Sequence, residues 1–397
     1  MGDNDEAWVI KISEEVERMA DMPAEAEHSY WTKCCIYKVP ACVIDLNKKA
    51  YKPQAVSFGP YHHGEPHLMP MVEHKRGALL HFLKRSKKPL QMYVNSLAED
   101  VQLMILDGYF MLEVLRMATQ TLDDYAENNP IFSNHGKAHI IPYIKRDMLM
   151  LQNQLPLLVL IQLLAVENDE TKFCSPNTRF RPNWSMGKCC HLLDVYRKSL
   201  LYGKEPLKKR NHRGRGKKMQ GISAGEGGED EIIRSATALD EAGILFHKSK
   251  SRSLKDISCK RGVVRLPPIV VDDTSESMFL NLMAFERFHA GAGNVVTSYI
   301  FFMDNIIDSA RDVSLLHSRG VIQNAIGSDK TVANLFNSLS KDITLDPESS
   351  LDVLHKRSNN YCKKRWNEWR ANLIHSYFRS SWAILSVLAA ILLFALV

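Results

Sequence analysis

The 397-residue chain holds no C-x-x-C pair, no Walker A string and no G-x-G-x-x-G loop. The first absence excludes a zinc ribbon and a thioredoxin-type redox motif. The other two remove the usual phosphate-cradling loops. The N-terminal stretch Met1–Glu6 is acidic, and no apolar core of signal-peptide length follows it. Glu6 stands where myristoylation of Gly2 needs Ser or Thr. Without a secretory signal the expected compartment is reducing, and the eight Cys, including the adjacent pairs Cys34-Cys35 and Cys189-Cys190, are expected as thiols. Internal repeats are missing too. Charge of one sign is scarce, since 51 Lys+Arg against 45 Asp+Glu leave only +6, too little to point to nucleic acid. Composition is ordinary for a folded chain, 45% apolar and 24% charged, which excludes disorder throughout.

The apolar pattern is mostly helical. Helices are expected at 6–20, Glu73–Ser86, Ser96–Ala118, from Pro142 to Val166 as one Pro-initiated helix, and Lys188–Tyr202. Ser96 and Glu99 read as a capping box. Residues 34–66, rich in Pro and Gly, read as short extended segments and turns. Val263–Leu266 and Ile269–Val271 are short strands around Pro267-Pro268. Further helices are expected at Glu276–His289, Thr297–Ser309 and Val313–Ser318. Another, capped by Ser328, places Val332, Leu335, Phe336 and Leu339 on one face, and a long helix covers 347–378. The fold class expected is mainly α, a helical body with a minor β component, plus one C-terminal transmembrane helix.

That last element rests on residues 382–397, which contain a single polar side chain, Ser386. The uncharged run from Ser380 spans about 27 Å as a helix, against about 30 Å of hydrocarbon core. Trp382, Ile384, Leu385, Val387, Leu388, Ile391, Leu392, Leu393, Phe394, Leu396 and Val397 would face lipid. The Lys363-Lys364-Arg365 cluster, Arg370 and Arg379 precede the run, which predicts a tail anchor with the body in the cytosol. Charge is patterned to match. Residues 204–218 carry +7 and residues 356–379 carry +6, which leaves −7 on the rest of the chain. In the first segment Lys208, Lys209, Arg210, Arg213, Arg215, Lys217 and Lys218 lie in a stretch with seven Gly between 203 and 231, a solvated linker. The sharper readings of those seven cations are an anionic-lipid patch or a nuclear or RNA-binding arm. No aromatic interleaves them, so base stacking is not supported and no nucleic acid is expected as partner.

The densest site-like segment is Pro60–His67. Five of the fifteen His lie within residues 62–81. His62, His63 and His67 are the candidate metal ligands, but Gly64 and Pro66 break the helix that an H-E-x-x-H site requires. The expectation is no bound metal and no cofactor, with the His side chains holding a fixed turn. Gly221-Ile222-Ser223-Ala224-Gly225 spells a nucleophile elbow, but it sits in the Gly-rich linker without the strand and helix that motif needs. Cys189-Cys190-His191 heads an amphipathic helix, so at least one thiol is expected in the core. No catalytic constellation emerges.

Several segments together resemble the plant family of unknown function called DUF247, or UPF0481. They are Ile36–Pro40, Ala50–Pro53, and Val56–Gly64 with Tyr61, His62, His63 and Gly64. Glu73–Lys75, Leu106–Phe110 with Asp107 and Gly108, and Arg146–Pro156 with Asp147, Asn153, Gln154 and Pro156 follow. The second half adds Ser235–Leu239, Glu241–Gly243, Asn281–Glu286 with Ala284, Phe285 and Glu286, Phe302–Asp304, Asp312-Val313, Gly327–Asp329 and Val332–Asn337. The chain departs from the family pattern at Gln152, Arg287, Ser381 and Cys259–Gly262. The resemblance implies a largely helical body ending in one membrane span, and it implies no reaction. Some grass members are linked to pollen–stigma self-incompatibility, which implies recognition or signalling as a class.

The expected organisation is a polar N-terminal helix (1–33), a first helical half (34–202), a linker (203–231), a second half (232–379) and the tail (380–397). The expected function is a non-enzymatic, C-terminally anchored module at a membrane that binds an unidentified protein. Two alternatives stay open: a His-dependent metalloprotein or hydrolase on His62-His63-His67, and a nuclear or RNA-associated protein through Lys208–Lys218.

Overall fold

The computed structural model describes residues 36–97, 101–119, 124–168, 188–202 and 234–341. These residues fall into two compact units. The first holds the described residues up to Val195 together with Asn281–Gly293, and the second holds Tyr196–Leu280 together with those from Asn294 onward.

The first unit begins with two one-turn helices, α1 (Ala41–Ile44) and α2 (Lys48–Tyr51), the latter capped by the Asn47 side chain, which accepts the Ala50 N–H at 3.2 Å. A 3-10 turn at Pro66–Leu68 leads into α3 (Pro70–Ser86). Pro70 occupies its first turn, where the missing N–H costs nothing. Lys87, at φ 55°, ends the helix in the left-handed conformation. Then come α4 (Leu90–Val94), α5 (Val101–Thr119), α6 (Asn134–His139), α7 (Ile141–Asp147), α8 (Leu157–Glu167) and the start of α9 (Leu192–Leu201). Helix α5 is apolar nearly all round because α3 and α8 both pack on it. Tyr109, Phe110 and Met111 are fully buried there. Phe82 and Tyr109 lie 4.0 Å apart between ring centroids, and Tyr93 meets both rings edge-on. Each such ring removed from water contributes about 1.5–3 kcal/mol. Gly108 lets α8 come close: a Cβ at that position would stand 2.5 Å from Leu163 Cδ1.

The single helix expected from Pro142 to Val166 is two helices, α7 and α8, with a loop between them. The carbonyls of Asp147, Met148 and Met150, which would continue α7, instead accept side-chain amide protons from Asn153 and Gln154. Pro156 then opens α8.

The second unit carries α10 (Ala236–Glu241), strands β1 (Leu245–Lys248), β2 (Ser258–Lys260), β3 (Val263–Leu266) and β4 (Ile269–Val271), the start of α11 (Ser275–Phe288), α12 (Val295–Ile306), α13 (Ala310–Ser318), β5 (Ile322–Asn324) and α14 (Asp329–Leu339). One sheet has the order β1-β3-β2, with β1 parallel and β2 antiparallel to β3. The other is the parallel pair β4-β5. The β2–β3 hairpin turns on Arg261 and Gly262, at φ 52° and 78°, both positive as a tight primed turn requires. Helix α14 buries Val332, Leu335, Phe336 and Leu339, the face expected from their spacing. Ser328 stands at its N-cap position but makes no side-chain cap bond. The start of α13 is held more firmly: Asp312 accepts the Ser309 N–H at 3.0 Å and its hydroxyl at 2.8 Å.

The described architecture is mainly helical with a minor sheet, as expected, but the transmembrane part of that fold class is overturned. No helix among the described residues is long and apolar enough to cross a membrane. Helix α5 has 19 residues but carries Asp107, Glu113 and Arg116, and α8, though apolar, has only 11. Several expectations lie outside the described residues: the tail from Trp382 to Val397, the helices at 6–20 and 347–378, the basic linker Lys208–Lys218 with the Gly221–Gly225 string, and Glu99 of the capping box.

Candidate functional site

The segment Gln54–Gly59 has no regular secondary structure and belongs to no sheet, and residues 56–59 of it are buried. A buried irregular segment must still satisfy its backbone polar groups. Here side chains do so. Asp147 Oδ2, at the end of α7, accepts the N–H groups of Gln54, Ala55 and Val56 at 2.9, 2.6 and 3.0 Å. Asn153 Oδ1 accepts the Phe58 N–H at 2.6 Å, and its amide donates to the Val56 carbonyl at 3.0 Å. Asp107 Oδ2, on α5, accepts the Gly59 N–H at 2.9 Å. Lys75, on α3, donates to the Ser57 carbonyl at 2.6 Å and to Asp107 Oδ1 at 2.5 Å. Three helices and one loop thus supply the partners of this segment's backbone.

Lys75, Asp107, Asp147 and Asn153 are all essentially out of water. Burial pushes the Asp107 carboxyl up from its ordinary range, opposed by Lys75 and the Gly59 N–H. Burial likewise pushes Asp147 up, opposed by the N–H groups of Ala55, Val56 and Gln54 and by Arg146. Gly59 has φ 70°, and a Cβ there would lie 2.5 Å from the Gln154 carbonyl oxygen, so only glycine fits between the segment and the loop that clamps it. Gln154 extends the clamp, its Oε1 accepting the Leu193 N–H of α9 at 3.2 Å. Asn281 completes it: its Oδ1 accepts the Leu151 N–H and its amide donates to the Ala50 carbonyl, both at 2.8 Å. Ala284 and Phe285 lie in the core and Glu286 is nearly buried on the same helix, while Pro156 sets the start of α8.

The clamped segment delivers the turn Pro60–His67. Tyr61 is 46% exposed, and His63, Gly64 and His67 are also at the surface. His62 points inward, with Nδ1 2.7 Å from Glu65 Oε1. His67 Nε2 donates to the Pro53 carbonyl at 3.1 Å, and its Nδ1 lies 3.6 Å from Glu65 Oε2. Partial burial pushes the Glu65 carboxyl up, but the His62 hydrogen bond and the charges of His62, Lys52 and His67 outweigh it and hold the group below its ordinary range. His62 and His67 are therefore engaged on either side of a carboxylate. Among the described residues no group of three or more His, Cys, Asp or Glu converges as metal ligands do. The turn presents an aromatic ring and imidazoles on a fixed frame.

Sequence reasoning passed over a third buried carboxylate. Glu113, one turn and a half beyond Asp107 on α5, accepts from Arg85 at 2.6 Å, Arg116 at 2.7 Å and the Tyr125 hydroxyl at 2.9 Å. Burial pushes its carboxyl up, against those partners. The signal was available, because Asp107 and Glu113 are the two acidic interruptions of an otherwise apolar helix.

The profile of DUF247, described as a plant protein of unknown function, matches residues 36–396. The UPF0481 protein At3g47200 of Arabidopsis thaliana is 31% identical over 90% of this chain and 83% of its own length. A UPF0481 protein from the same plant, At3g02645, is 33% identical over 43% of this chain and 32% of its own length. No solved structure matches the chain. The side chains that clamp Gln54–Gly59 all fall within the matched span, and the chain belongs to DUF247, a family of plant proteins of unknown function.

Proposed function

We propose that this chain is a non-enzymatic recognition module that binds another protein through the turn Pro60–Met69. The observation that carries the reading is the division of labour in that region. The buried polar side chains, Lys75, Asp107, Asp147 and Asn153, are spent on the backbone of residues 54–59. What they support at the surface is Tyr61, 46% exposed, His63, His67 and Met69, 47% exposed. Tyr and Met are enriched in protein interfaces, and a preorganised loop loses little entropy on binding. A chemical step would need a nucleophile and base in hydrogen-bond reach at the surface, whereas His62 and His67 are both turned onto Glu65.

The test is proximity labelling in intact plant cells with the wild-type chain and with Y61A/H63A/M69A, matched for abundance. The expected outcome is a small set of neighbours lost with the triple variant. The same neighbours labelled to the same extent by both chains would sink the reading.

A further inference from the structure

Within the first unit, three side chains far apart in sequence meet around one imidazole. His289 follows the last residue of α11, and its N–H bonds the Phe285 carbonyl at 2.9 Å. The Tyr37 hydroxyl lies 2.9 Å from His289 Nδ1. On the other side of the ring, Cys190 Sγ lies 4.0 Å from Nε2, the outer limit of a sulfur hydrogen bond. Phe285 stacks on the imidazole with centroids 4.9 Å apart and planes 10° apart. Cys190 and His289 are both half-buried, open enough for a small reagent.

We propose that Cys190 is a modification site: a thiol activated by His289 that exchanges with low-molecular-weight disulfides. The chemistry follows from the surroundings. With Nδ1–H donating to the Tyr37 oxygen, Nε2 is left as the acceptor facing the thiol. When the proton moves from Sγ to Nε2, both imidazolium N–H groups keep a partner, Tyr37 on one side and the thiolate on the other. The stacked Phe285 face favours the cation. So does the position of His289 just past the C-terminus of α11, while Cys190 precedes the N-terminus of α9, where a thiolate is favoured. Two contacts hold the backbone that carries the thiol: the Cys190 carbonyl accepts the Leu157 N–H at 2.8 Å, and the Cys190 N–H donates to Asp194 at 3.1 Å. The Asp194 carboxylate, which accepts the Cys190 N–H, works against a thiolate.

The step balances without a further oxidant. The Cys190 thiolate attacks one sulfur of the disulfide, the Cys190–S bond forms and the original S–S bond breaks. The departing thiolate takes the proton that His289 had removed, so one thiol and one disulfide give one mixed disulfide and one new thiol. The exchange is stoichiometric, and it stands independently of the recognition role of the Pro60–Met69 turn.

The reduced full-length chain is exposed to oxidised glutathione, quenched by alkylation and mapped by peptide mass spectrometry. Cys42, exposed and with no such neighbour among the described residues, is the internal reference. Cys190 is expected to form the mixed disulfide about tenfold faster than Cys42, since an unassisted thiol is only a few per cent ionised at neutral pH. H289A is expected to bring Cys190 to the Cys42 rate, and free imidazole to restore part of the difference. Tyr37 is a positioning residue, so Y37F is expected to slow the exchange and to move the His289 ring-nitrogen NMR signals toward the other tautomer. A Cys190 rate no greater than that of Cys42 in the folded wild-type chain overturns the proposal. So does an unchanged rate in folded H289A. Should H289A lose its fold, Y37F, which removes one oxygen, decides: unchanged rate and unchanged ring signals also overturn it.

Discussion

A buried ion pair loses hydration on both sides, and Lys75 with Asp107 recovers that loss only because each also serves the backbone. Lys75 bonds the Ser57 carbonyl and Asp107 bonds the Gly59 N–H. Removing one partner strands the other charge in the core. K75M is therefore expected to destabilise the first unit by about 3–5 kcal/mol, and K75M/D107L to recover only part of that, because an apolar pair leaves no buried charge but takes the side-chain partners from the Ser57 carbonyl and the Gly59 N–H. Denaturant unfolding of the three chains measures it, and a double variant as unstable as the single one would contradict the account. At this scale the sequence was half legible. Asp107 stands out as a charge inside an apolar helix, and the family resemblance picks out Asp107, Asp147, Asn153 and Gln154. Their partners were not legible, because a backbone N–H 39 to 95 residues away leaves no local pattern.

Between elements, Asp312 does for the second unit what Asp147 does for the first. Beyond the start of its own helix α13, it accepts the Thr237 N–H at 2.8 Å and hydroxyl at 2.6 Å, tying α10 to α13. Burial pushes its carboxyl up, but the bonds from Thr237 and Ser309 outweigh this and hold it below the ordinary 3.8. A carboxyl depressed in the folded state adds stability that is fully present above its unfolded value and is lost as pH falls through the folded one. The second unit is thus expected to lose stability below about pH 4, and D312N to be less stable at pH 7 by about 1–3 kcal/mol with a shallower acid dependence. Thermal unfolding from pH 3 to 7 checks both, and parallel pH profiles for the two chains would refute the role given to Asp312. Element types followed from periodicity wherever one face is buried, as in α14. Periodicity failed at 142–166, where apolar residues flank Gln152-Asn153-Gln154 on both sides and the break is made by the Asn153 and Gln154 side-chain amides. It failed again at β1, β2 and β5, short strands without the β-branched runs that mark β3 and β4.

The two compact units are not successive stretches of chain, because Asn281–Gly293 belongs with the described residues up to Val195. Asn281 is fully buried and satisfies two backbone groups there, the Leu151 N–H and the Ala50 carbonyl. Position along the sequence cannot reveal such a return. The segment reads as an ordinary amphipathic helix within the later half, and only its pairing with residues 130 and 231 positions away assigns it to the earlier one. The consequence is measurable. In N281A both backbone groups lose their partner inside the core, at a cost of about 1–3 kcal/mol, or about a ten- to hundredfold rise in local opening. Hydrogen exchange on the full chain should show the Leu151 amide exchanging faster by that factor in N281A, while amides of α14 in the other unit keep their rates. A fragment ending at Tyr202 lacks the returning segment altogether, so its Leu151 amide should be at least as exposed as in N281A. If Leu151 in that fragment were as protected as in the full chain, the first unit would fold without its returning helix, and the two halves would be separable after all.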